Sequence, residues 1–418
     1  MKKIISTFAI ACIAFTLTGC NNTIPTIDCL TTNMGTSEYN QIMKTENGYY
    51  YNSSMLGNMS LRYHDNTTDK DIYLCAKPEC THDGDKFCTA TSEGFHVHYT
   101  GMYDNTIYIT ASEHDGKHIY LKLLKASLDG TELTELCTVV QSIGSDQGIT
   151  LYFNNTNAMI LHRGYAFIPY YLVSNSIKVG NTIKTSGRAG IAIVNLSDGS
   201  VQYMPEYEQS ETDGYKNITP DEDYLYYTYT MNFKTEMHRY NFITGEDELL
   251  PLKANIKETY DINLELKELK SYTIIDGKIW YICGSESSMF IYDPNTNTTT
   301  LVEEFERKFL EEIKEYVDNG ILVYTEYYSN PKLMYDGNYL YVKEYYDSGI
   351  KVHIFTLEGD ELGEFFFELE EYASCQINIL DETFYIQTKE NTVCCPVSNV
   401  LSGNIQWNEL YQFEKGEY

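Results

Sequence analysis

Basic side chains and tryptophan are scarce in this chain of 418 residues. The 30 Lys and Arg stand against 60 Asp and Glu, which gives a formal net charge of −30, and no basic cluster interrupts the acidity. A field of this sign repels nucleic acid and anionic lipid surfaces, so we expect no nucleic-acid partner. The only tryptophans are Trp280 and Trp407, which disfavours a sugar site built on exposed indole rings.

The linear signatures of common enzymes are also missing. The sequence contains no G-x-S-x-G elbow, H-E-x-x-H helix, phosphate-binding P-loop or dinucleotide fingerprint. Sixty acidic residues make a carboxylate pair easy to find, so the lack of a motif does not exclude hydrolysis. We expect a binding protein, and we leave catalysis open.

A long apolar run occurs only at the start, in MKKIISTFAIACIAFTLTGC. Two lysines precede a short apolar stretch, which is typical of a secretory signal and too short to span a membrane comfortably. The run Leu17-Thr18-Gly19-Cys20 resembles the lipobox of bacterial lipoproteins. The resemblance implies cleavage before Cys20 and a diacylglycerol thioether on that residue. The alternative is an ordinary signal peptide with a chance cysteine.

This segment defines the expected organisation. Residues 1–19 are a lipoprotein signal peptide, residues 20–36 (polar, with few large apolar side chains) are a flexible tether, and residues 37–418 are the folded body. We expect the protein on the extracytoplasmic side of the cell membrane, at the bacterial cell surface. The N-terminal lipid is the only membrane attachment that we predict.

The body repeats one pattern, a turn followed by an aromatic-rich β run. The first members are NGYYYN, DNTIYIT and RGYAFIPYY, and the later ones include DGKIWYI and DGNYLYV. When the runs are aligned on one aromatic residue, consecutive members of the series are 44 to 61 residues apart. The aligned residues are Tyr50, Tyr108, Phe167, Tyr226, Trp280, Tyr341 and Tyr385. This spacing suits a unit of four strands with loops.

A strand–turn–strand pattern follows each of these runs, as in ASLDGTELTEL, VNLSDGSVQYM and VSNVLSGNIQW. Gly, Asn and Asp relieve the positive φ that tight β turns require. The two patterns in fixed order resemble an all-β fold, a β-propeller of seven four-stranded blades. Six or eight blades remain open, because the first unit is weakly marked. The 39 tyrosines suit half-buried strands of such a fold.

Three insertions interrupt the repeat. They are the segment LCAKPECTHDGDKFC after the first unit, the segment 173–190 inside the third, and the segment 303–320 after the fifth. In the last, apolar residues recur every four positions, which predicts an inserted helix near 303–319. In propellers the connections that carry these insertions emerge on one face, and we expect that face to bind.

The first insertion holds Cys75, Cys80, His82 and Cys88. Three thiolates and an imidazole suit a tetrahedral, structural Zn²⁺, with His96 or His98 as substitutes for a thiolate. Two competing interpretations stay open: a disulfide, because exported cysteines usually pair, and unreacted thiols. The mature chain has nine cysteines besides Cys20, an odd number, and several occupy predicted strands. We expect no disulfide between the adjacent Cys394 and Cys395.

With this loop, the chain resembles the lipoprotein propellers of Gram-positive bacteria that carry a Cys/His loop after an early blade. We therefore expect a surface-tethered binding module for an unknown protein or glycan ligand. Two alternatives are kept: an extracytoplasmic hydrolase or lyase acting on glycans or peptides, and an assembly scaffold for other envelope proteins.

Overall fold

A computed structural model gives the fold for most of the body. It describes residues 43–52, 60–82, 88–91, 95–115, 118–141, 150–152, 159–179, 182–209, 214–231, 234–252, 269–283, 288–302, 315–318, 321–325, 329–346, 349–369, 376–380, 382–388 and 391–412. The predicted signal peptide 1–19, Cys20 and the tether 20–36 lie outside these ranges.

The chain forms seven antiparallel sheets of four main strands each, in chain order, which confirms the predicted propeller. We call the strands of each blade a to d. Blade 1 consists of β1 (Met43–Thr45), β2 (Gly48–Asn52), β3 (Leu61–Asp65) and β4 (Lys70–Tyr73), and blade 2 of β5 (Phe95–Tyr103), β6 (Thr106–His114), β7 (Ile119–Ser127) and β8 (Leu133–Gln141). Blade 3 consists of β10 (Ile160–His162), β11 (Tyr165–Val179), β12 (Thr182–Asn195) and β13 (Val201–Tyr203). Two further strands, β9 (Thr150–Tyr152) and β14 (Tyr207–Gln209), are added to blade 3.

The remaining blades follow the same order. Blade 4 consists of β15 (Gly214–Asp221), β16 (Tyr224–Met231), β17 (Lys234–Asn241) and β18 (Asp247–Leu250), and blade 5 of β19 (Leu269–Ile275), β20 (Lys278–Cys283), β21 (Ser288–Asp293) and β22 (Thr298–Leu301). Blade 6 consists of β25 (Ser329–Tyr335), β26 (Leu340–Tyr346), β27 (Gly349–Phe355) and β28 (Glu361–Glu368). Blade 7 consists of β29 (Gln376–Leu380), β30 (Thr383–Gln387), β31 (Asn391–Pro396) and β32 (Asn408–Gln412). A separate pair, β23 (Glu315–Asp318) and β24 (Ile321–Thr325), lies between blades 5 and 6 in the chain.

The aligned aromatics all fall on strand b, and all are buried, with at most 7 % of their surface exposed. Trp280 belongs to this series, so its role is packing. Each of the six hydrophobic clusters joins two consecutive blades, from blades 1 and 2 to blades 6 and 7. The aligned aromatics of blades 1 to 6 each belong to one of these clusters, so they help to fasten one blade to the next, because stacked sheets bury their rings.

The predicted turns between strands c and d carry a residue with positive φ in blades 1 to 6: Asp69, Gly130, Gly199, Gly245, Asn297 and Gly359. The Asp293–Asn297 segment is one of these hairpin turns. Blade 7 departs from the prediction, because VSNVL forms a short helix, α1 (Val397–Leu401), between β31 and β32. Val397 and Val400 are buried, and α1 contacts β28. Because the two valines are three residues apart, a helical turn places both on the buried side.

Strands a surround the axis, since neighbouring ones contact each other: β5 with β10, β15 with β19, and β19 with β25. Every blade uses four main strands consecutive in the chain, so the ring closes between blades 7 and 1 without exchanging a strand. At this junction the Tyr49 hydroxyl donates a hydrogen bond to the Leu410 carbonyl, at 3.3 Å.

Two of the predicted insertions form β-ribbons. Segment 173–190 extends β11 and β12 as one long hairpin, flanked at its base by β9 and β14. The helix predicted near 303–319 is wrong over Glu315–Asp318, which pairs with β24 because Tyr316 and Val317 suit a strand. Residues 303–314 and 319 lie outside the described residues. No helix in the described part of the chain has the length and apolarity needed to cross a membrane.

Candidate metal centre

The four predicted ligands come together at the end of blade 1. One ligand atom from each of Cys75, Cys80, His82 and Cys88 lies within 4.8 Å of the others. In a tetrahedral site with bonds of about 2.0 to 2.3 Å, ligand atoms are about 3.3 to 3.8 Å apart, so only a small contraction is needed. The His82 Nδ1 atom, 3.5 Å from the Cys88 sulfur, is the ring nitrogen placed toward the thiols.

Backbone donors reach all three of the sulfurs. The Thr91 N–H donates to Cys88 Sγ at 3.3 Å. Burial raises the pKa of Cys75, but hydrogen bonds from Lys77 and Thr89 outweigh it and bring the pKa to about 7. The His82 N–H lowers the pKa of Cys80, whereas burial and the thiols of Cys88 and Cys75 raise it to about 11. Three thiolates this close repel one another, and a divalent metal ion removes that repulsion.

His82 is held in an uncommon conformation. Its φ of +57° lies in the left-handed region, which non-glycine residues seldom adopt. The ring stacks on Tyr73, the last residue of β4, with centroids 4.6 Å apart. Arg62 of β3 holds Tyr73 in turn, by a 2.8 Å hydrogen bond to its hydroxyl. This chain of contacts keeps the imidazole in place beside the thiols, as metal sites require.

The centre is anchored to blade 2 as well as to blade 1. Ala76 N–H donates to the Gly130 carbonyl in the β7–β8 turn at 3.0 Å. The buried Thr89 hydroxyl lies 2.8 Å from the carbonyl oxygens of both Leu74 and Gly130. This turn joins strands c and d of blade 2, so the segment reaches the outer edge of the ring, at the junction of the first two blades.

The disulfide alternative is not realised at this position. Cys75, Cys80 and Cys88 are free thiols, and so are Cys394 and Cys395. His96 and His98, the predicted substitute ligands, lie on strand β5 with ring centroids 5.1 Å apart. They do not join the four ligands. Cys20, the predicted lipid-attachment residue, lies outside the described residues.

Sequence reasoning missed a second group, in blade 6. The buried His353 of β27 places Nδ1 at 2.8 Å from Glu361 and 3.3 Å from Glu364, both on β28, and Nε2 at 3.4 Å from Glu344 on β26. Similar pairs occur at His64 with Asp71 and at His238 with Asp247. The recurrence indicates that these histidines are structural cross-links between strands. A histidine on strand c opposite acidic residues is the signal that would have found them.

Comparisons with known proteins do not assign a family. No family model matches the chain, and no curated protein sequence matches it. Three solved structures share part of its shape: a prolyl endopeptidase (TM-score 0.47, 10 % identity, 87 % of this chain and 48 % of that one), the acylaminoacyl peptidase of Pyrococcus horikoshii (0.46, 8 %, 91 % and 53 %) and Hsv2 of Kluyveromyces lactis (0.43, 10 %, 86 % and 92 %). The chain spans about half the length of the two peptidases. At TM-scores below 0.5 these likenesses carry no argument about function.

Proposed function

We propose that this protein is an exported, lipid-anchored β-propeller that binds a ligand or partner protein through the blade face bearing its insertions. A zinc ion held by Cys75, Cys80, His82 and Cys88 fastens its first blade to its second. Cys20 carries the lipid, and the protein acts on the extracytoplasmic side of the cell membrane. The two β-ribbons carry the binding part of this proposal.

The ribbons share one end of the blades. Strands alternate in direction within each blade, so connections from b to c and from d to the next a leave from the same end. The β11–β12 ribbon is a b-to-c connection of blade 3, and the β23–β24 ribbon lies in the link from blade 5 to blade 6. Connections that project from a rigid scaffold are frequent sites of recognition. We call this end of the ring the ribbon face.

The zinc ion has a structural role in this proposal. Four protein ligands complete a tetrahedral site and leave no position for a substrate, which is typical of structural zinc. Its ligands span the link between blades 1 and 2, where the described strands of blade 1 have five residues or fewer. Short strands bury little surface, so a metal crosslink is most useful at this blade.

The hydrolase or lyase alternative has no observation in its favour. Apart from the metal centre, the one group of potential metal ligands found among the described residues is that of His353, Glu361 and Glu364. It spans strands c and d of blade 6, away from the axis where propellers assemble catalytic sites. An assembly scaffold would bind through the same ribbon face. The identity of the bound partner distinguishes a scaffold from the proposed binding module.

The test removes one ribbon. In the variant, residues 174–186 are replaced by Asn-Gly, which joins Val173 to Gly187 at the register where the two strands already pair. The control inserts two glycines between Asp198 and Gly199, in a turn at the opposite end of the same blade. Proteins crosslinked to each form on cells are quantified by mass spectrometry. We expect a partner recovered with the wild type and the control but lost with the shortened ribbon; equal recovery with all three contradicts the binding role.

The lipid anchor has its own test. In a Gram-positive bacterial host the wild-type protein is expected to incorporate labelled fatty acid and to fractionate with membranes. Cys20→Ala should abolish both, while Cys29→Ala should change neither. Retained labelling in Cys20→Ala contradicts the proposed anchor.

A further inference from the structure

The three cysteines of the metal centre differ in exposure. Cys88 is buried, with 1 % of its surface exposed, and its sulfur accepts a hydrogen bond from the Thr91 N–H. Cys75 and Cys80 are only half-buried. Because cysteine oxidation depends on access to the sulfur, a dissolved oxidant meets Cys75 and Cys80 before it meets Cys88.

A tight turn brings the two more exposed cysteines together. The Cys80 N–H donates a 3.2 Å hydrogen bond to the Lys77 carbonyl, and Pro78 occupies the turn position that suits its fixed φ. The thiols of Cys75 and Cys80 are in hydrogen-bond contact, and their sulfurs lie within 4.8 Å of each other. A disulfide bond is about 2.0 Å long, so these sulfurs need to move only a short way to form one.

Zinc binding favours the reactive form of these sulfurs. A cysteine binds a metal ion as the thiolate, and the thiolate is also the form that oxidants attack. Outside the cytoplasm, where we propose that this protein acts, thiols are exposed to oxidants. The conditions for oxidation therefore meet at Cys75 and Cys80.

Zinc and a Cys75–Cys80 disulfide would join different parts of the chain. Cys75 follows β4, the last strand of blade 1, whereas Cys88 leads into β5, the first strand of blade 2. A zinc ion bound to all four ligands ties these two ends together. A disulfide between Cys75 and Cys80 closes a loop only at the blade 1 end, so it cannot replace the link between the blades.

From this arrangement we infer that the metal centre is a redox switch, in which a peroxide converts Cys75 and Cys80 to a disulfide and the zinc ion leaves. One thiolate attacks a peroxide oxygen, which breaks the O–O bond, forms a sulfenic acid and releases hydroxide. The second thiolate then displaces hydroxide from the sulfenic sulfur and forms the S–S bond. The two sulfurs together lose two electrons, and the two peroxide oxygens take them up.

The loss of zinc follows from the ligand count. After oxidation only His82 and Cys88 remain as ligands, whereas structural zinc takes four. The segment then keeps its hydrogen bonds from Ala76 and Thr89 to the Gly130 carbonyl but loses its metal crosslink. This inference rests on the proposed zinc ion and adds the regulation of its site.

Peroxide treatment of the zinc-loaded protein, after removal of the reductant, tests the switch. A chromogenic chelator measures the released zinc, and peptide mass spectrometry locates the disulfide. The wild type and the control Cys137→Ser should each release about one zinc per chain, form the Cys75–Cys80 disulfide and unfold at a lower temperature. A thiol reductant together with zinc should reverse all three changes.

A ligand exchange separates the switch from general oxidation. Cys80→His keeps four zinc ligands but removes one thiol of the reactive pair, so its zinc should be released at least about tenfold more slowly. If Cys80→His binds no zinc, Cys75→His replaces it, with the same expected result.

The outcomes distinguish the switch from the zinc site on which it depends. Zinc retained by the oxidised wild type, zinc lost without the Cys75–Cys80 disulfide, or equally fast release from the ligand-exchange variant overturns the switch and leaves the zinc site standing. A reduced wild-type protein without zinc overturns the zinc site, and the switch with it.

Discussion

The backbone N–H of Ala76 donates a 3.0 Å hydrogen bond to the carbonyl of Gly130. Ala76 directly follows the first cysteine of the metal centre, and Gly130 closes the β7–β8 turn of the next blade. The centre is therefore coupled to blade 2 through one turn, and that turn depends on glycine. A methyl group on Gly130 would meet backbone atoms of Leu74 and Cys75 at 2.7 Å, and its φ is +69°.

Gly130→Ala should destabilise the protein more than the same change at a comparable turn. The left-handed backbone alone costs about 1 to 2 kcal/mol for a residue with a Cβ, and here the Cβ also displaces the cysteine segment. Gly245→Ala is the control, because its φ is +80° and its nearest contact is the Tyr240 hydroxyl at 3.6 Å. Urea unfolding measures both. Equal losses would contradict the coupling of the turn to the metal centre.

Phe167→Ala should lower the free energy of unfolding by about 3 to 5 kcal/mol. Phe167 is fully buried and packs edge-on against Phe242 of blade 4, with centroids 5.1 Å apart. Phe366→Ala, at a phenylalanine that is 42 % exposed, should cost much less. Comparable losses in urea unfolding would show that the strand b aromatic does not join the blades.

His353 should make the stability depend on pH. Burial lowers its pKa, but hydrogen bonds to Glu344 and Glu361 outweigh this and raise it. Lys351, paired with Glu364, opposes the rise. Because the folded-state pKa is raised, the stabilisation is fully present below the unfolded pKa of about 6.5 and is lost as the pH rises through the folded value.

The comparison of His353→Gln with wild type tests this dependence. At pH 6 the variant should be less stable by about 1.5 to 3 kcal/mol, the usual range for a hydrogen bond to a charged group, and the difference should shrink toward pH 9. His114→Gln, at an exposed histidine, is the control. A difference that grows with pH, or one that does not change, would contradict the cross-link.

Much of the fold could be predicted from local patterns. The strand b aromatics and the Gly or Asn turns repeat along the chain because each blade is built from residues close in sequence and must pack against its neighbours in the same way. The Cys75-x4-Cys80-x-His82-x5-Cys88 group is equally local, since all its ligands lie within one short segment. The helix predicted near 303–319 shows the limit. Val317 fits a helical apolar period of four residues, but pairing with β24 decides its conformation.

The features that sequence reasoning missed depend on several strands at once. His353 meets Glu344, Glu361 and Glu364 only because strands b, c and d of blade 6 align in one register. The short helix α1 likewise follows from contact with β28, in the preceding blade.

The zinc content of the purified protein tests the central claim most directly. Native mass spectrometry with elemental analysis, under reducing conditions, should give about one zinc per chain for the wild type and for Cys137→Ser, and about none for Cys88→Ser and His82→Ala. Zinc removal by a chelator should lower the unfolding temperature of the wild type. A wild-type protein without stoichiometric metal, or with Cys75, Cys80 or Cys88 in a disulfide, would contradict the account.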